Sequence, residues 1–140
     1  MSPRPVVTSF LESANKILLL RRSDRVRTYQ GRWAGVSGSI EPGRTPEQQA
    51  RIEIHEETGL TDDDVKLVAI GEPLAVDDTA SGRQWLVHPF RFVVLHPERI
   101  RLDWEHVEML WIDPSRLADF ETVPRLAETW KRVDTASDEQ

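Results

Sequence analysis

The chain has 140 residues, of which 39% are hydrophobic and 30% charged, a balance typical of one soluble globular domain. The net charge of -6 argues against a broad nucleic-acid-binding surface, and the lack of cysteine excludes disulfides, thiolate metal sites and cysteine nucleophiles. No apolar run approaches the roughly 20 residues that span a bilayer, and the first residues lack a signal-peptide core. We therefore expect a cytoplasmic protein with neither a nucleic-acid nor a membrane partner.

The first forty residues predict strands separated by polar connections. Apolar and β-branched residues indicate strands at 6–10, 16–20 and 33–36. A turn over 12–15 joins the first two strands, and an arginine-rich connection over 21–32 precedes the third. A glycine-bounded loop over 37–43 then leads to the next element.

A capped helix is predicted over Pro46–Thr58. Thr45 is a favourable N-cap, Pro46 fits the first helical turn, and Gln48 completes a capping box. Gly59 suits the left-handed position that commonly ends a helix.

The second half of the chain predicts further strands and a terminal helix. Strands are expected at 65–71, 74–76, 84–95 and 106–112, and a helix at 124–133. Pro89 interrupts the longest strand, which predicts an edge position or a bulge there. We expect a mixed α/β (α+β) fold, with one domain over 1–134 and a polar tail over 135–140.

The predicted helix carries Glu53, Glu56 and Glu57 on one face, at i, i+3 and i+4. Their charges repel, and the helix dipole disfavours anions near its C-terminus. A divalent cation would turn this cost into a gain, because hard cations bind carboxylate oxygens. The triad therefore predicts a metal site, and the alternative interpretation is a solvated acidic helix face.

Residues 38–60 resemble the Nudix box, G-x5-E-x7-R-E-U-x-E-E-x-G-U, in which U is a bulky aliphatic residue. The spacing matches without a gap from Gly38 to Leu60 and aligns the triad with fixed positions. The resemblance implies a Nudix-like α/β/α sandwich with a mixed β-sheet. It also implies a hydrolase that cleaves a pyrophosphate bond in a nucleoside triphosphate or a related nucleoside diphosphate-X compound.

Two fixed positions of the box differ, because Arg44 replaces its first glutamate and Ile52 replaces its arginine. In the family that arginine helps to orient the carboxylates, and losing such partners typically costs about 10–100-fold in metal affinity or activity. The alternative hypothesis is therefore a catalytically impaired Nudix-fold module that binds a nucleotide or a protein partner. A calcium-stabilised structural domain is a third hypothesis, although the triad lacks the EF-hand loop pattern.

The resemblance also implies roles for individual residues. Glu53, Glu56 and Glu57 would hold Mg²⁺ or Mn²⁺, together with the backbone carbonyl of Gly38. Glu53 is one candidate for the general base. Glu105 is a second, since a glutamate in this late segment reaches the metal site in several relatives; the alternative is a surface loop carboxylate.

Substrate contacts are predicted from residue type. Five arginines between 21 and 32 suit phosphate oxygens, and Arg32 is the candidate nearest the box, although a solvated loop with local ion pairs is the alternative. Trp33 and Trp85 could stack on a nucleobase, whereas aromatic residues in strands more often belong to the core. We expect a small nucleotide or pyrophosphate substrate, and the sequence leaves a homodimer open.

Overall fold

The computed structural model describes residues 2–78 and 81–134, and the tail predicted at 135–140 lies outside them. None of the described helices is long and apolar enough to cross a membrane. The chain forms strands β1 (Arg4–Ser13), β2 (Lys16–Arg22), β3 (Trp33–Ala34), β4 (Val36–Ser39), β5 (Val65–Ile70), β6 (Leu74–Asp78), β7 (Arg83–Val94) and β8 (His106–Ile112), and helices α1 (Pro46–Thr58) and α2 (Leu126–Lys131). Short 3-10 helices lie at Asp62–Asp64, Pro97–Arg99 and Pro114–Asp119.

These strands form one mixed sheet, as predicted. Strand β1 lies at its centre and pairs in parallel with β7, from Arg4 opposite Trp85 to Glu12 opposite Val93. The remaining pairings are antiparallel: β1 with β2 and β4, β2 with β3 and β8, and β7 with β5 and β6.

Two apolar layers cover the faces of the sheet, because successive side chains of a strand point to opposite faces. On one face, Leu18 and Leu20 pack with Ala50 and Ile54 of α1. On the other face, Phe10 and Trp130 of α2 meet edge to face. The result is the α/β/α sandwich expected from the sequence.

Helix α1 begins and ends where the sequence predicts. Thr45 Oγ1 accepts a hydrogen bond from the Gln48 amide, and the Gln48 side chain accepts one from the Thr45 amide. Gly59 follows the helix with φ of 78°, a left-handed conformation that favours glycine. These caps fix which side chains of α1 face the sheet.

The prediction that Pro89 marks an edge strand or a bulge is wrong. Strand β7 has neighbours on both sides, and its pairing with β1 continues through Thr8 opposite Pro89. On the other side Pro89 falls between the segments that pair with β6 and β5, so its missing N–H interrupts neither ladder.

Candidate active site

One face of α1 carries Gln49, Glu53 and Glu57, each four residues from the next, toward β4 of the sheet. Gly38 of β4 lies directly against Glu53, and a Cβ at Gly38 would overlap the Glu53 carboxyl carbon. Glycine is therefore required at this position for the Glu53 side chain to lie over the strand.

Glu57 is almost completely buried, with 1% of its surface exposed. Its Oε1 lies 3.6 Å from Nε2 of the buried His106, and its Oε2 has no hydrogen-bond partner among the described residues. A carboxylate oxygen in such a position is costly unless something compensates for the lost water. Glu57 therefore needs a proton or a cation.

Glu105 reaches the same region from the loop before β8. Asp103 Oδ1 accepts a hydrogen bond from the Glu105 amide at 3.2 Å and faces His106 Nδ1 at 3.1 Å. The Glu105 carbonyl accepts a hydrogen bond of 2.7 Å from the Ser23 amide, just after β2. These contacts fix the backbone that presents Glu105.

Burial and repulsion between the acidic side chains at this site raise their pKa values, although the hydrogen bond with Glu57 works in the other direction on Glu53. Burial is the main cause for Glu57, whose pKa lies well above its usual value, and Glu105 and Glu53 add repulsion. Burial likewise raises the pKa of Glu53 and raises that of Glu105 to about 7, with Asp103 and Glu53 adding to the latter. Since each shift disfavours the anion, the site is prepared to accept positive charge.

A cavity of 370 Å³ opens beside these carboxyl groups. Glu41, Glu53, Glu105 and Arg22 contribute its charged lining, and Arg22 is held by a 2.9 Å hydrogen bond from its Nε to the Thr28 carbonyl. Burial lowers the pKa of Arg22, while Glu57 and Glu105 oppose that shift. Much of the remaining lining is apolar or aromatic: Val6, Val76, Trp85, Val87, Val123 and Leu126.

The structure separates the predicted site residues into three groups. Gly38, Glu53, Glu57 and Glu105 lie together, and Trp85 lines the adjacent cavity. Glu56 is exposed and borders a different depression with Arg44 and Ile52, although its charge still raises the pKa of Glu53.

The other two predicted substrate contacts, Arg32 and Trp33, hold a neighbouring segment. Arg32 Nη1 donates to the Thr122 carbonyl at 3.2 Å, and Trp33 packs edge to face on Phe120. The Trp33 carbonyl accepts a hydrogen bond from Val123, a residue of the cavity lining. Both residues therefore support a wall of the cavity from behind.

The residues present suit a hard divalent cation in their chemistry. Glu53, Glu57 and Glu105 offer carboxylate oxygens, which hard cations prefer. Glu57 Oε2 has no hydrogen-bond donor among the described residues, and Gly38, which has no side chain, lets the Glu53 carboxyl group lie against its backbone. Within residues 2–78 and 81–134, no three acidic or histidine side chains are already arranged as ligands of one ion. A complete set of metal ligands would therefore require side-chain rotation; Glu56 is exposed and Glu105 is half-buried.

Sequence reasoning missed two side chains at this site. Gln49 is buried and bonded to Glu53, and its signal was the four-residue spacing that it shares with Glu53 and Glu57. Arg22 was one of five arginines in a predicted connection. In the structure both Arg21 and Arg22 belong to β2, but Arg22 lines the cavity whereas Arg21 pairs with the exposed Glu108.

The sandwich and its acidic helix are typical of the NUDIX domain. A model of the NUDIX domain matches residues 2–133, and the chain therefore belongs to this family. Nucleoside triphosphatase NudI of Salmonella newport (strain SL254) is similar, with 28% identity over 123 residues that cover 84% of this chain and 87% of the relative. NudI of Salmonella agona (strain SL483) is 27% identical with the same coverage.

Solved structures show the same fold. The MutT protein from Methanosarcina mazei Go1 superposes with a TM-score of 0.80 at 24% identity, covering 97% of this chain and 96% of that one. A C. elegans Ap4A hydrolase in a binary complex gives a TM-score of 0.77 at 17% identity, covering 98% and 99%. At these identities the likeness establishes the architecture alone.

Proposed function

We propose that this protein is a metal-dependent pyrophosphohydrolase that acts on a nucleoside triphosphate or a related nucleoside diphosphate-X compound. The observation that carries the proposal is the cluster of the buried Glu57 with the half-buried Glu53 and Glu105, in which one Glu57 oxygen is unpartnered, beside a cavity that contains Arg22. The similarity to nucleoside triphosphatase NudI supports the choice of a nucleoside triphosphate as substrate.

The proposed ligands of Mg²⁺ or Mn²⁺ are Glu53, Glu56, Glu57 and the Gly38 carbonyl. Such an ion would neutralise charge on the phosphate oxygens and make bound water easier to deprotonate. Burial of Glu57 and its contact with His106 keep the carboxylate from turning into solvent. The exposed Glu56 would join by rotating around the end of the helix.

Arg22 is proposed to bind the phosphate chain of the substrate. Its guanidinium is half-buried in the cavity, and its contact with Thr28 limits its freedom. Guanidinium groups bind phosphate oxygens in a bidentate manner, and the low dielectric of a partly enclosed site strengthens that contact. Trp85 and the valines of the lining provide an apolar surface for the nucleoside portion.

Proton transfer is assigned to Glu105. It lines the cavity, lies on a fixed backbone and has a pKa of about 7, which suits a group that takes a proton near neutral pH. Water attacks a phosphorus atom, its proton passes to the Glu105 carboxylate, and the anhydride P–O bond breaks. Pyrophosphate or a phosphate ester leaves. Glu53 is the alternative candidate for this role.

The direct test is a panel of nucleoside triphosphates, dinucleoside polyphosphates and nucleotide sugars, assayed for phosphate and pyrophosphate release with Mn²⁺ or Mg²⁺. We expect turnover that EDTA abolishes. Arg22→Lys should raise KM, whereas Arg32→Lys should change it little because Arg32 contacts the Thr122 carbonyl. Tight nucleotide binding without turnover would contradict the proposal and favour an impaired binding module.

A further inference from the structure

Gln49, in the first turn of α1, makes three side-chain polar contacts inside the protein. Only 1% of its surface is exposed. Its Nε2 donates to Glu53 Oε2 at 2.6 Å, and its Oε1 accepts from the Glu41 amide at 3.1 Å and from Arg44 Nη1 at 3.2 Å. A buried amide group whose donor and acceptor are both used holds a fixed orientation.

The orientation of the Gln49 amide follows from its neighbours. Two donors, the Glu41 N–H and the Arg44 guanidinium, meet at one end, so that end must be the oxygen. The NH₂ group is thereby directed at the Glu53 carboxylate. Gly38 lies close to the other carboxylate oxygen of Glu53, Oε1. Glu53 is therefore held between a strand backbone and a fixed donor.

Arg44 has a defined place in this arrangement. It occupies the position of the first glutamate of the Nudix box, and its exposed side chain reaches back to the buried Gln49. Arg44 thus acts on Glu53 through Gln49, in addition to a weak electrostatic effect of its own. Ile52 cannot make a comparable contact because its side chain carries no polar atom.

We propose that Gln49 is a positioning residue for the metal site, which holds the Glu53 carboxylate in place and is itself fixed by Arg44 and the Glu41 N–H. The inference rests on the proposed function, since it assigns Glu53 to a metal. It also explains how the Glu53 carboxylate keeps a fixed position although the box residues at positions 44 and 52 differ from the family pattern. The contact between Arg44 and Gln49 then replaces an interaction that the altered box positions would otherwise provide.

The test compares Mn²⁺ binding by isothermal titration calorimetry in the wild type and Gln49→Met. Methionine keeps the length and unbranched shape of glutamine and removes both polar groups. We expect Mn²⁺ to bind about 10–100-fold more weakly, as is typical when a partner of a metal ligand is lost. Gln48→Met is the matched control, because Gln48 is exposed and serves only the helix cap, so its Mn²⁺ affinity should match the wild type.

A second variant, Arg44→Lys, keeps the charge and the exposed position while removing the guanidinium contact to Gln49. We expect a several-fold loss of Mn²⁺ affinity in Arg44→Lys and no added loss when it is combined with Gln49→Met. Circular dichroism and metal-free thermal unfolding report whether each variant is folded. If Gln49→Met does not fold, Arg44→Lys alone decides.

The possible failures are distinguishable. Wild-type Mn²⁺ affinity in a folded Gln49→Met, or in Arg44→Lys when Gln49→Met is unfolded, overturns the positioning role while leaving the proposed function intact. A wild type that neither binds Mn²⁺ nor hydrolyses any substrate of the panel overturns both.

Discussion

Two buried carboxyl groups, Asp64 and Glu57, lie seven residues apart and have opposite environments. Asp64, with 3% of its surface exposed, accepts hydrogen bonds from the Thr61 amide and hydroxyl and from Arg99. The Thr61 amide contributes most to lowering the pKa of Asp64, and Arg99 adds to the effect. Its negative charge is therefore compensated within the folded chain.

Glu57 is equally buried but lacks such compensation. Its nearest polar neighbours are His106, at a long 3.6 Å, and acidic groups that repel it. A buried carboxylate with donors on both oxygens stabilises a fold, whereas one without them destabilises the fold until a cation arrives. The comparison teaches that, at similar solvent exposure, hydrogen-bond donors distinguish the structural Asp64 from Glu57, the acid proposed to bind a metal.

The largest expected effect is on catalysis by Glu57→Gln. We expect kcat/KM to fall on the order of 10²–10³-fold, as for loss of one preorganised electrostatic group in an active site. Metal-free stability at neutral pH should stay equal or rise, because the raised pKa of Glu57 means that its anion opposes folding. Steady-state kinetics and thermal unfolding of the same preparation check both parts. A large drop in metal-free Tm would assign Glu57 to the structural class instead.

The next effect is the increase in unfolding free energy when Mn²⁺ binds. Mn²⁺ at 100 times its Kd should stabilise the wild type by about 2.7 kcal/mol, which follows from binding to the folded state alone. This gain should shrink as the pH falls, since carboxyl groups with raised pKa values must lose protons before they bind the ion. Thermal unfolding with and without Mn²⁺ at several pH values measures it, and an equal shift in Glu57→Gln would contradict the assignment.

A smaller effect is expected for Glu56→Gln, about 10-fold in kcat/KM. Glu56 is exposed and lies outside the cavity lining, so its contribution requires a rotation that costs part of its binding energy. Parallel assays of the Glu56 and Glu57 variants rank the two residues. If Glu56→Gln proves the more damaging, the metal lies on the outer side of α1 rather than beside Glu57.

The smallest effect on activity is expected for Asp64→Asn, which should leave kcat/KM unchanged and lower Tm at neutral pH. Because the folded pKa of Asp64 is lowered, its contribution to stability is full above the unfolded pKa of about 3.8 and disappears as the pH falls through the folded pKa. The two unfolding curves should therefore converge in acid. A loss of activity in folded Asp64→Asn would remove the distinction between the two acids.

The sequence predicts most of the architecture because local signals and long-range contacts agree. The capping box at Thr45 and Gln48 and the glycine at 59 determine α1. The continuous apolar run over 17–20 indicates that both faces of β2 are covered. Pro89 misled because the switch between its two neighbouring strands is a property of the sheet rather than of the local sequence.

The site is less visible in the sequence than the fold. Spacing places Glu53 and Glu57 on one face, but it does not tell which of the three glutamates is buried. Glu105 lies near the site because β8 pairs with β2, and Arg22 lies there because β2 extends to residue 22. Trp33 and Trp85 are both tryptophans of predicted strands, and the sequence does not distinguish their roles. In the structure Trp33 packs on Phe120, whereas Trp85 lines the cavity.

A crystal soaked in Mn²⁺ and measured at the manganese absorption edge tests the central claim most directly. We expect an anomalous peak within bonding distance of the Glu53 and Glu57 carboxylates, and no such peak at Asp64. A peak confined to Asp64 or to the protein surface, with Glu53 and Glu57 bonded only to each other at saturating Mn²⁺, would contradict the account.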